Sequence, residues 1–213
     1  MRIAERIYRS PLGRAMSAVG HLLAMARQPF MVYGYRDPMS GDFQKWTRIS
    51  SNAIIMNKKQ LSIGDHVWVW HYSILDATEG LVIGEGVQIG AWVGIFTHGS
   101  ESAIRLLGRQ FVHIPNTERG RYTRGAVKIG AFTFIGAGSV ILPGVTVGRG
   151  CLVGAGSLVT RDVEDYSIVA GSPAKMKGTT IDLDTRLFRQ QDFSETYFDA
   201  ETLSEIQRRL SES

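Results

Sequence analysis

His98 is the residue of this chain best placed for proton transfer. It ends the segment Ile95-Phe96-Thr97-His98, directly before the stretch 99–126, which follows no repeat. An imidazole titrates near pH ~6.5, so a histidine can act as general base for a hydroxyl or an amine. The loop that follows His98 is long enough to form one wall of a pocket beside it. The alternative is that His98 is a surface histidine at the edge of the fold with no catalytic role.

Two carboxylates accompany His98 as candidate substrate-binding residues. Asp76 lies one repeat earlier, and we expect its Cα on the order of 8 Å from that of His98. That separation predicts no firm direct contact and leaves space for an acceptor hydroxyl between the two side chains. Glu101 follows in the loop, where we expect it to orient His98 through its other ring nitrogen. Solvation at the surface is the alternative for each carboxylate.

The chain has a single cysteine, Cys151, which excludes an internal disulfide. It stands at a repeat position that holds Ser139 and Ser157 on other turns. We therefore interpret it as a small corner residue and not as a nucleophile.

A six-residue repeat must position these side chains. From Phe43 to Val159 an apolar residue returns every six positions over most of the chain, and a glycine usually follows it. This period fits neither the 3.6 of an α-helix nor the alternation of a hairpin, and it indicates a β-solenoid. Its short strands end at corners, where we expect glycine to permit the φ values that a tight turn needs. The repeated positions, expected to point inward, are Phe43, Ile49, Ile55, Ile63, Val69, Leu75, Ile83, Ile89, Ile95, Ile129, Ile135, Ile141, Val147, Val153 and Val159.

The phase of the repeat adds a second constraint. Groups of three give five turns, and every interruption falls between one turn and the next, so all insertions leave from the corner at which His98 stands. Where glycine follows the repeated residue, it does so on the first two sides of a turn and never on the third, which carries Asp76. The third side is therefore expected to be the chemically active one. The turns are 41–58, 61–78, 81–98, 127–144 and 145–162.

Two terminal segments flank the predicted solenoid domain of residues 41–177. Residues 1–40 resemble an amphipathic helical arm and an irregular linker, with apolar residues from Ile3 to Met25 on one face. The helix is expected to cap the end of the solenoid, or alternatively to make weak peripheral contact with a membrane. Residues 178–213 predict an extended piece and then a helix from about Ser194 or Asp199, with Asp199 as its cap.

Composition excludes several classes of protein. With 213 residues, 44% hydrophobic and 21% charged, the chain predicts a globular protein with one main domain. The formal charge is +4, but the basic residues, which occur at the start, in the long loop and at the end of the chain, form no aromatic-interleaved strip, and this argues against nucleic acid. The apolar stretch 15–26 is too short to span a membrane, and we expect a cytoplasmic protein.

Several motifs carry a resemblance to a known family. Residues 127–138 read VKIGAF and TFIGAG, followed by SVILPGV at 139–145, TRDV at 160–163 and VAGSPAK at 169–175. Over about residues 60–178 the chain resembles the hexapeptide-repeat acyltransferases. It is most similar to the branch of maltose, galactoside and nodulation acetyltransferases and of surface-polysaccharide O-acetyltransferases.

The resemblance implies a fold and an activity. The fold would be a left-handed parallel β-helix of about five coils, assembled as a homotrimer with active sites between subunits. The activity would be O-acetylation of a sugar or of a surface-polysaccharide precursor, with acetyl-CoA as the acyl donor and no metal. His98 matches the catalytic histidine, and five residues match contacts to the coenzyme: Ala137, Ala155, Thr160, Arg161 and Lys175.

Some positions depart from the family, and other functions stay open. Phe134 stands where tryptophan is frequent, and Gly99 stands where polysaccharide-modifying relatives often have aspartate. N-acetylation of an amino sugar or another amine is the main alternative. A metal-dependent hydratase of the carbonic anhydrase type would need His66, His71 and His98 together, and a non-catalytic scaffold would lack acetyl-CoA binding.

Overall fold

The computed structural model describes residues 10–115, 120 and 122–212. The chain divides into two compact units, Met1–Phe30 and Met31–Ser213. The first unit contains helix α1, Pro11–Ala26. The backbone amide of Gly13 donates to the Ser10 hydroxyl at 3.1 Å, and Pro11 opens the helix at a position where a missing N–H costs nothing.

The predicted helical arm is confirmed for Pro11–Ala26, while its first apolar residues, Ile3 and Ile7, lie outside the described residues. In the described part of the chain, no helix combines the length and the apolar character needed to cross a bilayer.

The second unit is a parallel β-solenoid built from very short strands. The three faces of the solenoid are sheets, and antiparallel strand pairs and three α-helices complete the described part of the unit. The strands are β1 Met31–Arg36, β2 Phe43–Ser50, β3 Ile54–Met56, β4 Leu61–Ile63, β5 Trp68–Val69, β6 Ile74–Asp76, β7 Leu81–Ile83, β8 Gln88–Ile89, β9 Gly94–Ile95, β10 His98–Gly99, β11 Thr123–Arg124, β12 Val127–Ile129, β13 Phe134–Ile135, β14 Val140–Ile141, β15 Thr146–Val147, β16 Leu152–Val153, β17 Leu158–Val159, β18 Ser167–Ala170 and β19 Lys175–Thr179.

Each face of the solenoid collects every third strand, as the repeat predicts. One face runs β4, β7, β12, β15; the second contains β2, β5, β8, β13, β16 and β18; the third runs β3, β6, β9, β14, β17. On the third face the repeated residues stack in register, with Leu75 beside Ile95, Ile95 beside Ile141 and Ile141 beside Val159. The register jumps across residues 99–126 without disturbing the stack, so this insertion leaves and returns at one corner.

The repeated apolar residues form the core. From Ile63 to Val159 each of them is at most 2% exposed. The first predicted turn is less well buried. Ile49 is buried and Ile55 is partly buried, whereas Phe43 is 58% exposed because it pairs with Arg36 in the antiparallel hairpin of β1 and β2 and not in a coil. The first turn predicted at 41–58 thus contributes strands to only two faces.

Glycine is required after the repeated residue for a steric reason. A Cβ on Gly136 would lie 2.4 Å from the Ala155 backbone nitrogen, and one on Gly90 would lie 2.6 Å from that of Ala137. The backbone of the next coil covers these positions, so the expectation that their φ angle requires glycine is wrong. The left-handed φ values occur two residues later, as at Trp92 (57°) and Gly138 (71°).

Gly136→Ala is therefore expected to destabilise the solenoid by about 1–3 kcal/mol, because backbone atoms of two coils must separate to accept the methyl group. Gly120→Ala is the matched control, since its Cβ would meet no atom within 4 Å. Urea unfolding of the two variants measures the difference. Equal midpoints would show that coil-on-coil contact does not select glycine.

Further regular structure lies outside the five predicted turns. Residues 31–36 form β1 and are not irregular linker. Strand β18 adds a partial sixth coil, as Ile168 pairs with Leu152. The insertion contains helix α2, Glu101–Leu107, and a 3₁₀ segment, Gly108–His113.

The C-terminal segment contains one helix more than the sequence predicts. Helix α3, Thr180–Phe188, begins after the cap Thr179 and was not expected, whereas α4, Ala200–Ser211, is capped by Asp199 as predicted. Ile206 of α4 is buried.

Candidate functional site

His98 lies where the insertion leaves the solenoid. Its strand, β10, follows the third face directly and pairs antiparallel with β11, so His98 lies opposite Arg124. The pairing ties the returning end of the insertion to the departing one. The imidazole is held at this junction with 29% of its side chain exposed, open to a second molecule on one side.

Asp76 contacts His98 directly, and the expectation of a gap between them is wrong. The Asp76 Oδ2 atom lies 2.8 Å from His98 Nδ1. Strands β6 and β9 are neighbours, and the buried Asp76 side chain reaches along the corner further than its Cα position suggests. No space for an acceptor hydroxyl is left between the two side chains.

The Asp76 carboxylate is held by a set of backbone and hydroxyl donors. Its Oδ2 accepts from the Thr97 amide and hydroxyl, both at 2.9 Å, and its Oδ1 accepts from the Thr78 amide at 2.9 Å. Burial alone would raise the pKa of Asp76, but the hydrogen bonds from Thr78 and Thr97 outweigh it and lower the pKa to about 2. Asp76 is therefore an anion at neutral pH.

An anionic Asp76 fixes the tautomer of neutral His98. A carboxylate only accepts hydrogen bonds, so the Nδ1 atom, 2.8 Å away, must carry the proton. The lone pair of the neutral ring is then on Nε2. This is the arrangement that a general base needs, with one nitrogen oriented and the other able to accept a proton.

Glu101 lies at the start of α2 and has a different partner. Its carboxylate accepts a hydrogen bond from the Thr123 hydroxyl of β11, and this bond is the main reason that the pKa of Glu101 is lowered. Glu101 thus links the two ends of the insertion. The orienting role that the sequence suggested for Glu101 falls to Asp76.

An aromatic wall beside His98 was not foreseen from the sequence. The ring of Tyr122 lies 6.2 Å from that of His98, and Phe111 stacks on Tyr122 at 6.3 Å between centroids. The Arg124 guanidinium lies 5.1 Å from the Tyr122 centroid and pairs with Glu79. Phe111 and Tyr122 are the two aromatic residues of the insertion, and they were the available signal. Their position relative to His98 could not be predicted, because it depends on the pairing of β10 with β11.

The candidate coenzyme residues fall into two groups. Ala137 and Ala155 are exposed and stack at the corner before the third face, where the Gly156 amide donates to the Ala137 carbonyl at 2.9 Å. Thr160 and Arg161 follow the third face and line a cavity of about 360 Å³. The exposed Lys175 follows Ala174, which lines the same cavity.

The second group lies on the edge of the solenoid that carries His98. The third-face register aligns Ile95 with Ile141 and Ile141 with Val159, so Thr160 and Arg161 lie two coils from His98, about 10 Å along the axis. Thr160 and Arg161 therefore line the same cavity as Ala174, the residue before Lys175. Ala137 and Ala155 lie at another corner of the same chain.

The other candidate residues have structural surroundings. His71 Nδ1 lies 2.6 Å from the Ser50 hydroxyl, and His66 lies 3.6 Å from Glu85. Within the described ranges, no three His, Cys, Asp or Glu side chains gather at one point. Cys151 is buried, and burial raises the pKa of its thiol, which disfavours the thiolate that a nucleophile needs.

Comparisons with known proteins agree with these features. Residues 126–161 match the bacterial transferase hexapeptide (six repeats) family. Nodulation protein L of Rhizobium meliloti is 41% identical over 121 residues, which cover 55% of this chain and 59% of that protein. A probable acetyltransferase of Mycobacterium tuberculosis is 30% identical over 135 residues, covering 62% of this chain and 42% of the other.

Solved structures include a hexapeptide-repeat acetyltransferase of Vibrio cholerae complexed with acetyl coenzyme A. It is 25% identical with a TM-score of 0.49, over 60% of this chain and 64% of that one. The chain spans 42% and 59% of the length of the two curated relatives. The resemblance predicted from the sequence is confirmed: this chain carries the hexapeptide repeat of the bacterial transferase family.

Proposed function

We propose that this protein is an acetyl-CoA-dependent acetyltransferase with His98 as general base and a saccharide hydroxyl as acceptor. The observation that carries the proposal is the 2.8 Å contact between His98 and the buried Asp76 at the corner from which the insertion leaves. The hexapeptide repeat supports a left-handed sense for the solenoid.

The proposed reaction is direct transfer between two bound substrates. His98 Nε2 takes the proton of the acceptor hydroxyl while its oxygen attacks the thioester carbonyl. The carbon–sulfur bond then breaks, and the proton passes from His98 to the departing thiolate. Asp76 holds the ring and stabilises the imidazolium that forms between these steps. No acyl group is attached to the protein.

The two groups of coenzyme residues favour a site between subunits. Ala137 and Ala155 lie at one corner of the solenoid and Arg161 at another, so one extended coenzyme molecule cannot lie along a single edge of the chain and reach both. A groove between neighbouring copies in a homotrimer would offer the alanine corner of one copy to the His98 edge of the next. This assembly is part of the proposal.

Arg161 and Lys175 supply positive charge for the coenzyme phosphates, and their environment fits that role. Both are exposed, and Arg161 opens into the cavity shared with Thr160. Asp162 also lines this cavity, but its carboxylate accepts from the Thr146 amide at 2.8 Å. Glu164 lines the cavity as well, but Arg161 forms no ion pair with any described residue, so its guanidinium is available for a phosphate.

Arg161→Ala is expected to weaken binding of coenzyme A by about 10-fold to 100-fold, the loss of one charged hydrogen bond or two. Calorimetric titration with coenzyme A measures the effect, and titration with pantetheine, which lacks the nucleotide phosphates, should show little difference between the proteins. Lys128→Ala is the control, because Lys128 is exposed on the first face. An equal loss for coenzyme A and pantetheine would contradict a phosphate contact.

The acceptor is tested by turnover of acetyl-CoA against free sugars, nucleotide sugars, amino sugars and polysaccharide fragments. Hydroxylamine at alkaline pH cleaves an acetyl ester and leaves an acetamide, so the treated product distinguishes O-transfer from N-transfer. We expect an ester on a sugar. An acetamide would favour the N-acetyltransferase alternative, and absence of acetyl-CoA binding would favour the scaffold.

A further inference from the structure

The segment 6–36 has an unusual charge. It contains five arginines and no aspartate or glutamate, although acidic residues number 20 in the whole chain. The formal charge of the whole chain is +4, so this segment accounts for all of the excess positive charge and the remainder is close to neutral. Such a block attracts an anionic surface and repels a second copy of itself.

Helix α1 lies inside this basic segment and exposes an apolar stripe. Leu12, Met16 and Val19, at spacings of four and three residues, are 68%, 58% and 57% exposed. Leu22 and Met25 extend the exposed apolar surface towards the end of the helix. Scattered exposed apolar residues are ordinary, but the Leu12–Met16–Val19 stripe lies on one face of the helix over two turns, which indicates a binding surface.

The first unit also exposes an aromatic residue after α1. Phe30 is 65% exposed, and Arg27 precedes it by three residues in the sequence. An aromatic residue close to a cationic one is typical of the boundary between acyl chains and headgroups.

We propose that α1 binds the surface of an anionic lipid bilayer, lying in its plane with the Leu12–Met16–Val19 stripe in the outer acyl region. The arginines of residues 6–36 contribute by attraction to the headgroup phosphates. A second copy of the helix is the competing occupant of the stripe. It is disfavoured because the segment offers no acidic side chain to pair with the arginines of the copy. The inference is independent of the proposed transferase activity.

Sedimentation of the full-length protein with vesicles tests this proposal. Vesicles of phosphatidylcholine with phosphatidylglycerol are compared with vesicles of phosphatidylcholine alone, at low and high salt. We expect binding to the anionic vesicles that decreases with salt. Val19→Asp should reduce the partition coefficient at least about tenfold, because the charged group opposes burial in the acyl region.

Leu106→Asp is the matched control. Leu106 is 66% exposed on α2, outside the basic segment, and its replacement adds the same charge to the chain. It should bind vesicles as the unaltered protein does. Circular dichroism establishes that both variants remain folded.

Three results would overturn the proposal. The first is failure of the unaltered protein to bind anionic vesicles, and the second is equal binding by the Val19→Asp variant. The third is loss of self-association in the Val19→Asp variant by sedimentation velocity, without a change in vesicle binding, which would assign the stripe to contact between copies.

Discussion

His98→Ala is expected to lower turnover by a factor of about 10² to 10⁴, the usual contribution of a positioned general base. Without the imidazole, the acceptor must lose its proton to water as it attacks the thioester. The side chain is partly exposed at the corner and does not belong to the apolar core, so the solenoid should remain folded. Steady-state rates measure the loss, and calorimetry should show unchanged affinity for coenzyme A.

His66→Ala is the matched control for this experiment. His66 is another partly exposed histidine, with 55% of its side chain exposed, and it lies at a different corner beside Glu85. Its replacement should leave turnover near that of the unaltered protein. Near-normal turnover of the His98→Ala variant would remove His98 from the reaction.

Asp76→Asn is expected to reduce kcat by about 10²-fold or more while leaving KM for acetyl-CoA nearly unchanged. Asparagine retains the shape of the side chain but can present its amide nitrogen to His98 and no longer requires a proton on Nδ1. The ring can then adopt the tautomer whose Nε2 cannot accept a proton. Steady-state kinetics of both substrates separate kcat from KM; a rise in KM alone would assign Asp76 to binding.

The same substitution changes how stability depends on pH. Folding lowers the pKa of Asp76 from 3.8 to about 2, so its ionised form stabilises the native state above about pH 4. That contribution falls as the pH drops from 4 towards 2. Urea unfolding should therefore show a difference between the unaltered protein and Asp76→Asn at pH 7 that shrinks at pH 3. A difference that does not change with pH would contradict the lowered pKa.

Much of the fold could be predicted because a solenoid repeats one local rule. Each apolar residue from Ile63 to Val159 enters the same environment, so its spacing reveals the coil without knowledge of distant contacts. Phe43 fits the six-residue spacing, but its side chain is exposed and not part of the core. Its strand, β2, pairs there with β1. The spacing of apolar residues predicts where a strand lies but not which strand pairs with it.

The position of the site could be predicted from the sequence, but the contacts between its side chains could not. The interruptions of the repeat located His98 at the corner of the insertion. They could not show that Asp76 touches it, because Cα spacing leaves out the reach of a side chain turned along the corner. Tyr122 was missed for a related reason, since its approach to His98 depends on the pairing of β10 with β11.

The C-terminal helices illustrate the effect of local capping signals. Asp199 was recognised as a cap, and its carboxylate accepts a hydrogen bond from the Thr202 amide at 3.4 Å. Thr179 caps α3 in the same way, accepting from the Asp182 amide at 3.1 Å. The second signal was present in the sequence, but a short helix directly after a strand gives too few turns for a clear periodicity.

Transfer of a radiolabelled acetyl group tests the central claim most directly. Labelled acetyl-CoA is incubated with the protein, with and without a saccharide acceptor, and label is counted on the protein and on the acceptor. The proposed function predicts one labelled acceptor for each coenzyme A released, no label on the protein, and transfer lost in the His98→Ala variant. Label retained on the protein, or equal transfer by the variant, would contradict direct transfer with His98 as the base.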